Sequence, residues 1–571
     1  MSDNNNLRKD LIKIVVSALT ALFLVPLITW SFVLYAQPPG AAEMVAEPFT
    51  PLWQFQVAGQ VSAATLIAGV VVLLIISILG AAAFANRQMQ YLSFVTGWRL
   101  LTLFCAIEVV VQGAALVWLA FWLTAFFFKV YFVKLIAIAA ISAALAVFYA
   151  VACIFKRVPQ TTNVEGELIS ENSAPALWAH VRELAVKAEA APPDHIVAGI
   201  DTNFFVTEAP LHVNDRTLKG RSLFVSLPLL RLLDRAEADA VLMHELAHFR
   251  GGDTASSAEL GPKLVQYDYY CIMMQANTVT LLVFWVLRLY RVIFEFALKR
   301  DSRQREFIAD RIAAILVSAQ GLVRALIKIS AYARYRTVIE ERLFAEQGRH
   351  GEKLGIADRI ATGLAPYAES AQFLDAMQAA CIPHPFDSHP ALSERMCSVG
   401  HEVSETDYSD VVTQTASFTW IPDIRNADAI EQSLWAVYEK QFAAAHEQQL
   451  AYRYQPATEA EREIVLKYFP PVEFALRGGK HIVVSYEGLI LPGETNILSW
   501  DNVTNMRYED AYVSDILRIF HPQKGWLGAK TTKVKLPGIK KQRPQFKDAL
   551  GHYWQRHQIM RKGLSSEEAG L

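Results

Sequence analysis

The sequence predicts three structural blocks in one chain: an α-helical membrane bundle, a mainly helical α+β domain, and a small β-rich domain closed by a helix. Three observations carry this reading. Four long apolar stretches crowd the first 157 residues, helical periodicity dominates from there to about 400, and the last hundred residues turn to short β-rich runs punctuated by Gly and Pro. The chain has 571 residues, 53% hydrophobic and 19% charged, with a formal net charge of −2. That length suits several domains, and the near-neutral balance gives no reason to expect a nucleic-acid partner.

The apolar stretches lie at about 14–35, 61–85, 101–128 and 131–155, each long enough to cross roughly 30 Å of hydrocarbon as a helix. Arg8, Lys9 and Lys13 precede the first; Arg87 and Arg99 flank the second loop; Lys156 and Arg157 follow the fourth. The positive-inside rule therefore places the N-terminus and everything after residue 156 in the cytoplasm, with Lys129 and Lys134 weakly opposed. The first stretch is too long, and too poorly supplied with a cleavage site, for a signal peptide. Glu108, little more than two turns past Arg99, is expected to reach toward the interface. The five cysteines form no C-x-x-C and read as reduced and non-ligating.

Residues 158–400 form the predicted α+β domain. Asn203-Phe204-Phe205-Val206 and Leu223-Phe224-Val225-Ser226-Leu227, either side of a turn-rich run at 214–221, read as a hairpin. The helix that follows carries His244-Glu245-Leu246-Ala247-His248. Histidines four apart share one helix face, so both imidazoles can reach one zinc ion, and Glu245 between them can activate water. Asp234 and Glu237 make a capping box opening this helix, and Gly251-Gly252 close it. The bland reading, two hydrogen-bonded core histidines, weakens once a third ligand is found. Glu306 and Asp310 supply one: they are four apart on a helix, one carboxylate able to complete the site and the other to accept a histidine N–H. A further apolar stretch, about 277–298, lies between these helices. A single crossing there would put His244 and Glu306 on opposite sides of the bilayer. The segment must turn back as a hairpin with 264–276, lie in the interface, or pack on other helices, with Arg288, Arg291 and Glu295 favouring partial immersion.

Together these residues resemble the membrane-embedded zinc metallopeptidases that include HtpX and the CAAX prenyl proteases. The matching motifs are H-E-L-A-H at 244–248, Asp253 in the G-D that follows, S-R-x-x-E-x-x-A-D at 302–310, and His389-Pro390 with Arg395 six residues after the histidine. His384-Pro385 competes, but position 390 is proline, so only His389 has an arginine at that offset. The resemblance, over roughly 160–400, implies a gluzincin-type zincin domain. It implies one Zn²⁺ per chain held by His244, His248 and Glu306, with Glu245 as general base and Asp310 and Asp253 behind the ligands. It sets His389 and Arg395 beside the substrate or the third ligand's helix, where either can stabilise an oxyanion. Asn203, Phe204 and Phe205 match the strand that borders the cleft and pairs with an extended peptide.

From 401 to 460 the chain reads as a polar linker and a connector helix at 428–455. Residues 461–571 hold β-rich runs at 472–477, 481–486, 496–508, 515–521 and 531–537 before a helix at 543–558, an order that resembles bacterial pleckstrin-homology-like domains. Lys530, Lys533, Lys535, Lys540, Lys541, Arg543, Lys547, Arg556, Arg561 and Lys562 make this end basic, able to lean on anionic lipid or simply to be solvated.

The expected function is a membrane-anchored zinc endopeptidase, multi-pass in a bacterial inner membrane with its catalytic and C-terminal domains cytoplasmic. Its substrates are expected to be membrane or membrane-associated polypeptides, including misfolded ones. Two alternatives share the motifs: a non-catalytic zinc-containing membrane sensor or scaffold, and a prenyl-protein CAAX-type protease, which ordinarily has seven membrane helices rather than four.

Overall fold

The computed structural model describes residues 2–37, 44–158, 162–345, 354–381, 389–510, 514–525 and 528–569. Four helices open the chain: α1 (Ser2–Ala36), α2 (Pro51–Ala83), α3 (Arg87–Phe128) and α4 (Val133–Ala152). The first three outrun their apolar stretches because caps, rather than hydropathy, fix helix ends. Thr50 accepts from the Trp53 amide at 3.4 Å and Asn86 from the Met89 amide at 2.9 Å. Glu108 does not reach the interface. It is only 3% exposed and accepts a 2.9 Å hydrogen bond from Gln112, which also donates to the Ala21 and Leu22 carbonyls of α1. Leu101, Cys105, Glu108 and Gln112 share one helical stripe, and that stripe faces the bundle interior.

A four-stranded sheet of order β2-β3-β7-β4 follows, built from β2 (Glu167–Leu168), β3 (His195–Gly199), β4 (Phe205–Thr207) and β7 (Ser222–Ser226). α5 (Pro175–Lys187) lies between β2 and β3 in the chain. β4 pairs antiparallel with β7, Phe205 opposite Phe224. The residues between them are not a plain turn. β5 (Leu211–Val213) and β6 (Arg216–Leu218) form a hairpin about Asn214, at φ 53°, which adds to β1 (Thr162–Val164) in a second, three-stranded sheet. Asn tolerates this left-handed conformation, which is why the segment looked turn-rich in sequence.

α6 (Leu227–Leu232) leads into α7 (Arg235–Arg250), which carries both histidines. The capping box is present in both directions, Glu237 N–H to Asp234 at 2.9 Å and Asp234 N–H to Glu237 at 3.0 Å. Glu237 is also buried against Lys328 at 2.8 Å and Arg324 at 2.9 Å, so the cap doubles as an anchor for a later helix.

α8 (Asp253–Gln275) and α9 (Leu281–Ala313) form an antiparallel hairpin joined by residues 276–280. Tyr267 donates across it to the Leu287 carbonyl at 2.7 Å, and Arg291 pairs with Asp268 at 2.9 Å. The hairpin packs among the N-terminal helices: Tyr290 donates to the Ser93 carbonyl and Tyr270 to that of Ala150. At Gly97 an added Cβ would stand 2.5 Å from the Tyr290 hydroxyl, so glycine is what lets α3 and α9 approach. The apolar stretch 277–298 therefore pairs with 264–276 as a hairpin and packs against the N-terminal helices. It is also continuous with the charged segment that follows, so α9 runs unbroken from apolar residues to Glu306. A π-helical turn (Ala314–Ser318) then joins it to α10 (Ala319–Ala345). Among the described residues, five helices can cross a membrane by length and composition: the four N-terminal ones and the one that begins at Thr278.

α11 (Ile356–Ala368), α12 (Ala371–Ala380), α13 (Leu392–Val399) and α14 (Tyr408–Thr413) complete the helical region. The chain forms two compact units, Met1–Arg336 with Thr362–Leu434, and Thr337–Ala361 with Trp435–Leu571. The membrane helices and the α+β region fall in one unit because the α8–α9 hairpin belongs to both.

The second unit contains most of α15 (Ala427–Arg453), then α16 (Glu459–Tyr468), seven strands and α17 (Arg543–Ala569). β8 (Val472–Ala475), β9 (His481–Val484), β10 (Gly488–Ile490) and β11 (Ile497–Ser499) form one antiparallel sheet, and β12 (Asn505–Glu509), β13 (Asp515–Gly525) and β14 (Gly528–Leu536) another. Trp500, Phe469 and Phe546 are fully buried between them. The basic surface is smaller than the sequence suggests. Arg556 is 1% exposed and donates to the Ala451 and Tyr454 carbonyls, Arg543 is held by Asp515, and Lys547 by Asp510.

Candidate metal centre

α7 and α9 pack side by side and bring His244, His248 and Glu306 together. The Nε2 atoms of the two histidines stand 3.3 Å apart. Glu306 Oε2 is 3.5 Å from His244 Nε2, and its Oε1 is 3.7 Å from His248 Nε2. Three atoms bound at about 2.0–2.2 Å to a tetrahedral zinc would be separated by about 3.3–3.6 Å. The donors thus have the right type and nearly the right spacing.

Two further observations support the fit. Glu306 Oε2 is buried and receives no well-directed hydrogen bond, though His389 Nδ1 lies 3.1 Å away. A buried carboxylate oxygen without a donor is costly unless a cation faces it. The charge balance points the same way: carboxylates of Glu245, Glu306 and Asp310 surround one guanidinium, that of Arg395, leaving a net charge of −2 with neutral imidazoles. Burial alone would push the His244 pKa down, but Asp310 and Glu306 outweigh it and raise it to about 10.

The supporting groups are equally specific. His244 Nδ1 stands 2.9 Å from Asp310 Oδ1, which leaves Nε2 directed at the cluster. Arg395, on α13, clasps both oxygens of Asp310 at 2.8 and 2.6 Å. Its reach to Glu306 is 3.9 Å, and its side chain is 12% exposed. The guanidinium is thus committed to Asp310. α13 is itself held by an ion pair that the sequence did not reveal, Arg303 to Glu394 at 2.6 Å, with Glu394 accepting from the Ala391 amide. No local pattern could have signalled it, since the partners are 91 residues apart.

Glu245 lies half-buried on α7 beside the two histidines; burial pushes its carboxyl pKa up while both imidazoles oppose that. His389 is 65% exposed, the most open group near Glu306. Asn203 is exposed, but Phe204 is 4% exposed and Phe205 stacks on Phe224 at 4.7 Å, inside the sheet core. Phe204 is thus buried and Phe205 half-buried, and β4 is an edge strand packed against α7. Asp253 opens α8, with its side chain outside the described positions, and the competing His384-Pro385 lies outside the described residues.

Residues 174–403 match the model of peptidase family M48. They are an M48 metallopeptidase domain. The M48 match contains α7, the Glu306 helix and α13, and residues 404–571 lie outside it. A "Protease HtpX homolog" of Pelotomaculum thermopropionicum is 27% identical over 248 residues, covering 40% of this chain and 76% of the relative. Proteins of the same description from Acaryochloris marina and Pyrococcus furiosus are 29% and 30% identical over 187 residues, covering 30% of this chain and 60% and 61% of the relatives. No solved structure matches the chain.

Proposed function

We propose that the chain is a membrane-anchored zinc endopeptidase whose metal is held by His244, His248 and Glu306. The observation that carries this is the spacing of the three donors around one point, inside an M48 domain. A zinc ion held there supplies Lewis acidity, acidifying water and polarising the scissile carbonyl.

The chain's own residues do the rest. Glu245 takes the proton from the attacking water and returns one to the departing amine nitrogen. Asp310 fixes the His244 ring, and Arg395 fixes Asp310. His389, exposed and beside Glu306, is the residue placed to donate to the developing oxyanion. The free edge of β4, near Asn203, holds the substrate in extended form by backbone pairing, which suits broad sequence tolerance.

The substrates are membrane or membrane-associated polypeptides, since the helix bearing Glu306 is continuous with one able to span a bilayer. Positive charge beside the helix ends supports an inner-membrane orientation with the M48 domain and residues 461–571 in the cytoplasm, the latter a pleckstrin-homology-like domain. A scaffold with a closed structural zinc would have no use for a half-buried carboxylate at position 245.

The test is hydrolysis of casein by detergent-purified protein with and without chelator, alongside Glu245→Gln. Activity that is lost to chelator and to Glu245→Gln, with zinc retained in the variant, is the expected result. Full turnover by Glu245→Gln would overturn the assignment.

A further inference from the structure

Where the apolar half of α9 meets its charged half, an open cavity of about 630 Å³ lies between α9 and the end of α2. Its floor is apolar: Phe84, Ile293, Phe296 and Phe307. Its rim is cationic: Lys299, Arg300 and Arg303. Both halves come from one stripe of α9, since 293, 296, 300, 303 and 307 recur at helical spacing. α2 and α9 touch closely just below, where an added Cβ at Gly80 would stand 2.5 Å from Ile293. One turn later the helices diverge around Phe84 and the cavity opens.

The cavity lies where α9, a candidate membrane span, passes from its mainly apolar part to its charged part. Phe84, which follows the last turn of α2, is exposed beside the cavity. Past the apolar stretch, the first cations on α9 are Lys299 and Arg300. Neither has a carboxylate within ion-pairing distance among the described residues, whereas Arg303 is paired with Glu394. Arg300 lies over the Phe84 ring at 5.8 Å. Two uncompensated cations above an apolar, partly aromatic floor match one ligand chemistry: a phosphate monoanion carrying hydrocarbon chains.

We propose that this cavity binds an anionic phospholipid, its phosphate against Lys299 and Arg300 and its chains against Ile293 and Phe296. A free phosphate would meet the same cations, but it would leave the apolar floor uncovered, so the site commits to the lipid. The basic surface of the second unit is the weaker candidate, because several of its cations are buried or paired. The bound headgroup would stand beside Arg303, whose partner Glu394 caps the helix that holds Arg395.

Lipid binding is read separately from hydrolysis. Full-length protein in detergent, stripped of lipid, is mixed with equimolar phosphatidylglycerol and phosphatidylcholine, and bound lipid is counted by native mass spectrometry. Phosphatidylglycerol should be retained preferentially. The double variant Lys299→Gln/Arg300→Gln should bind it about thirtyfold more weakly, the effect of losing two interfacial cations, with phosphatidylcholine retention and zinc content unchanged. Excess inorganic phosphate should not displace the lipid. The charge-conserving Lys299→Arg/Arg300→Lys protein should keep the preference, which separates a lost site from a lost fold. Equal retention of the two lipids, wild-type binding by the double Gln variant, or displacement by phosphate would each overturn the proposal.

Discussion

Arg395 closes both arms of its guanidinium on Asp310, at 2.8 and 2.6 Å, and Asp310 in turn stands 2.9 Å from the Nδ1 of His244. A residue 85 positions beyond the carboxylate is thus linked to the His244 ring through one intermediary. Replacing Arg395 by Ala should weaken zinc binding about 10–100-fold, the usual cost of losing an outer partner of a metal ligand. Arg395→Lys keeps the charge but not the two-point clasp, and should recover only part of that loss. Competition with a chromophoric chelator measures it; unchanged zinc affinity in Arg395→Ala would show that Asp310 needs no such support.

Glu306→Ala should remove the metal outright. Metal analysis of the purified variant should fall from one zinc per chain to a trace, since two imidazoles alone hold zinc poorly. A variant that kept stoichiometric zinc would point to another third ligand.

Glu237 is 1% exposed, caps α7, and faces Lys328, itself 1% exposed. Glu237→Ala deletes the side-chain half of the capping box and strands a buried ammonium, which should destabilise the first unit by about 3–5 kcal/mol. Its unfolding temperature, followed by intrinsic fluorescence of detergent-purified protein, should drop markedly. Lys328→Met in the same background should recover part of the loss by removing the stranded charge. A Glu237→Ala protein that melts like wild type would contradict the anchor role.

Asp194 accepts from the Arg221 side chain and amide, which hold its carboxyl below the ordinary carboxylate range. A depressed folded value means the stabilisation is complete above the ordinary value and fades as pH falls through the depressed one. The melting-temperature gap between wild type and Asp194→Asn should therefore be widest near neutrality and close in acid. A gap independent of pH would show that Arg221 does not act through the carboxylate's charge.

The histidine helix was legible in sequence for local reasons: H-E-x-x-H, the Asp234–Glu237 box and the closing glycines all lie within one helix. Glu306 and Asp310 were legible as a four-residue pair. Arg395 was visible only as an arginine near a His-Pro, and its role depends on where α13 lands, which Arg303 and Glu394 decide across the fold. Phe204 and Phe205 looked like cleft residues because an aromatic strand reads the same whether its rings face a peptide or a neighbouring Phe224. The stretch 277–298 was the instructive case. Hydropathy divides α9 into an apolar run and a charged run, yet backbone hydrogen bonding takes no notice of that boundary.

The unbroken course of α9 makes the enzyme a ruler. Glu306 lies eight residues beyond Leu298, the last residue of the apolar stretch. At 1.5 Å per residue, the backbone of Glu306 stands about 12 Å along the helix from that point. An extended chain advances about 3.3 Å per residue, so a polypeptide emerging from the bilayer alongside α9 covers that height in roughly four residues. The length of rigid helix between hydrocarbon and carboxylate thus measures how close to the membrane a bond must lie to be cut.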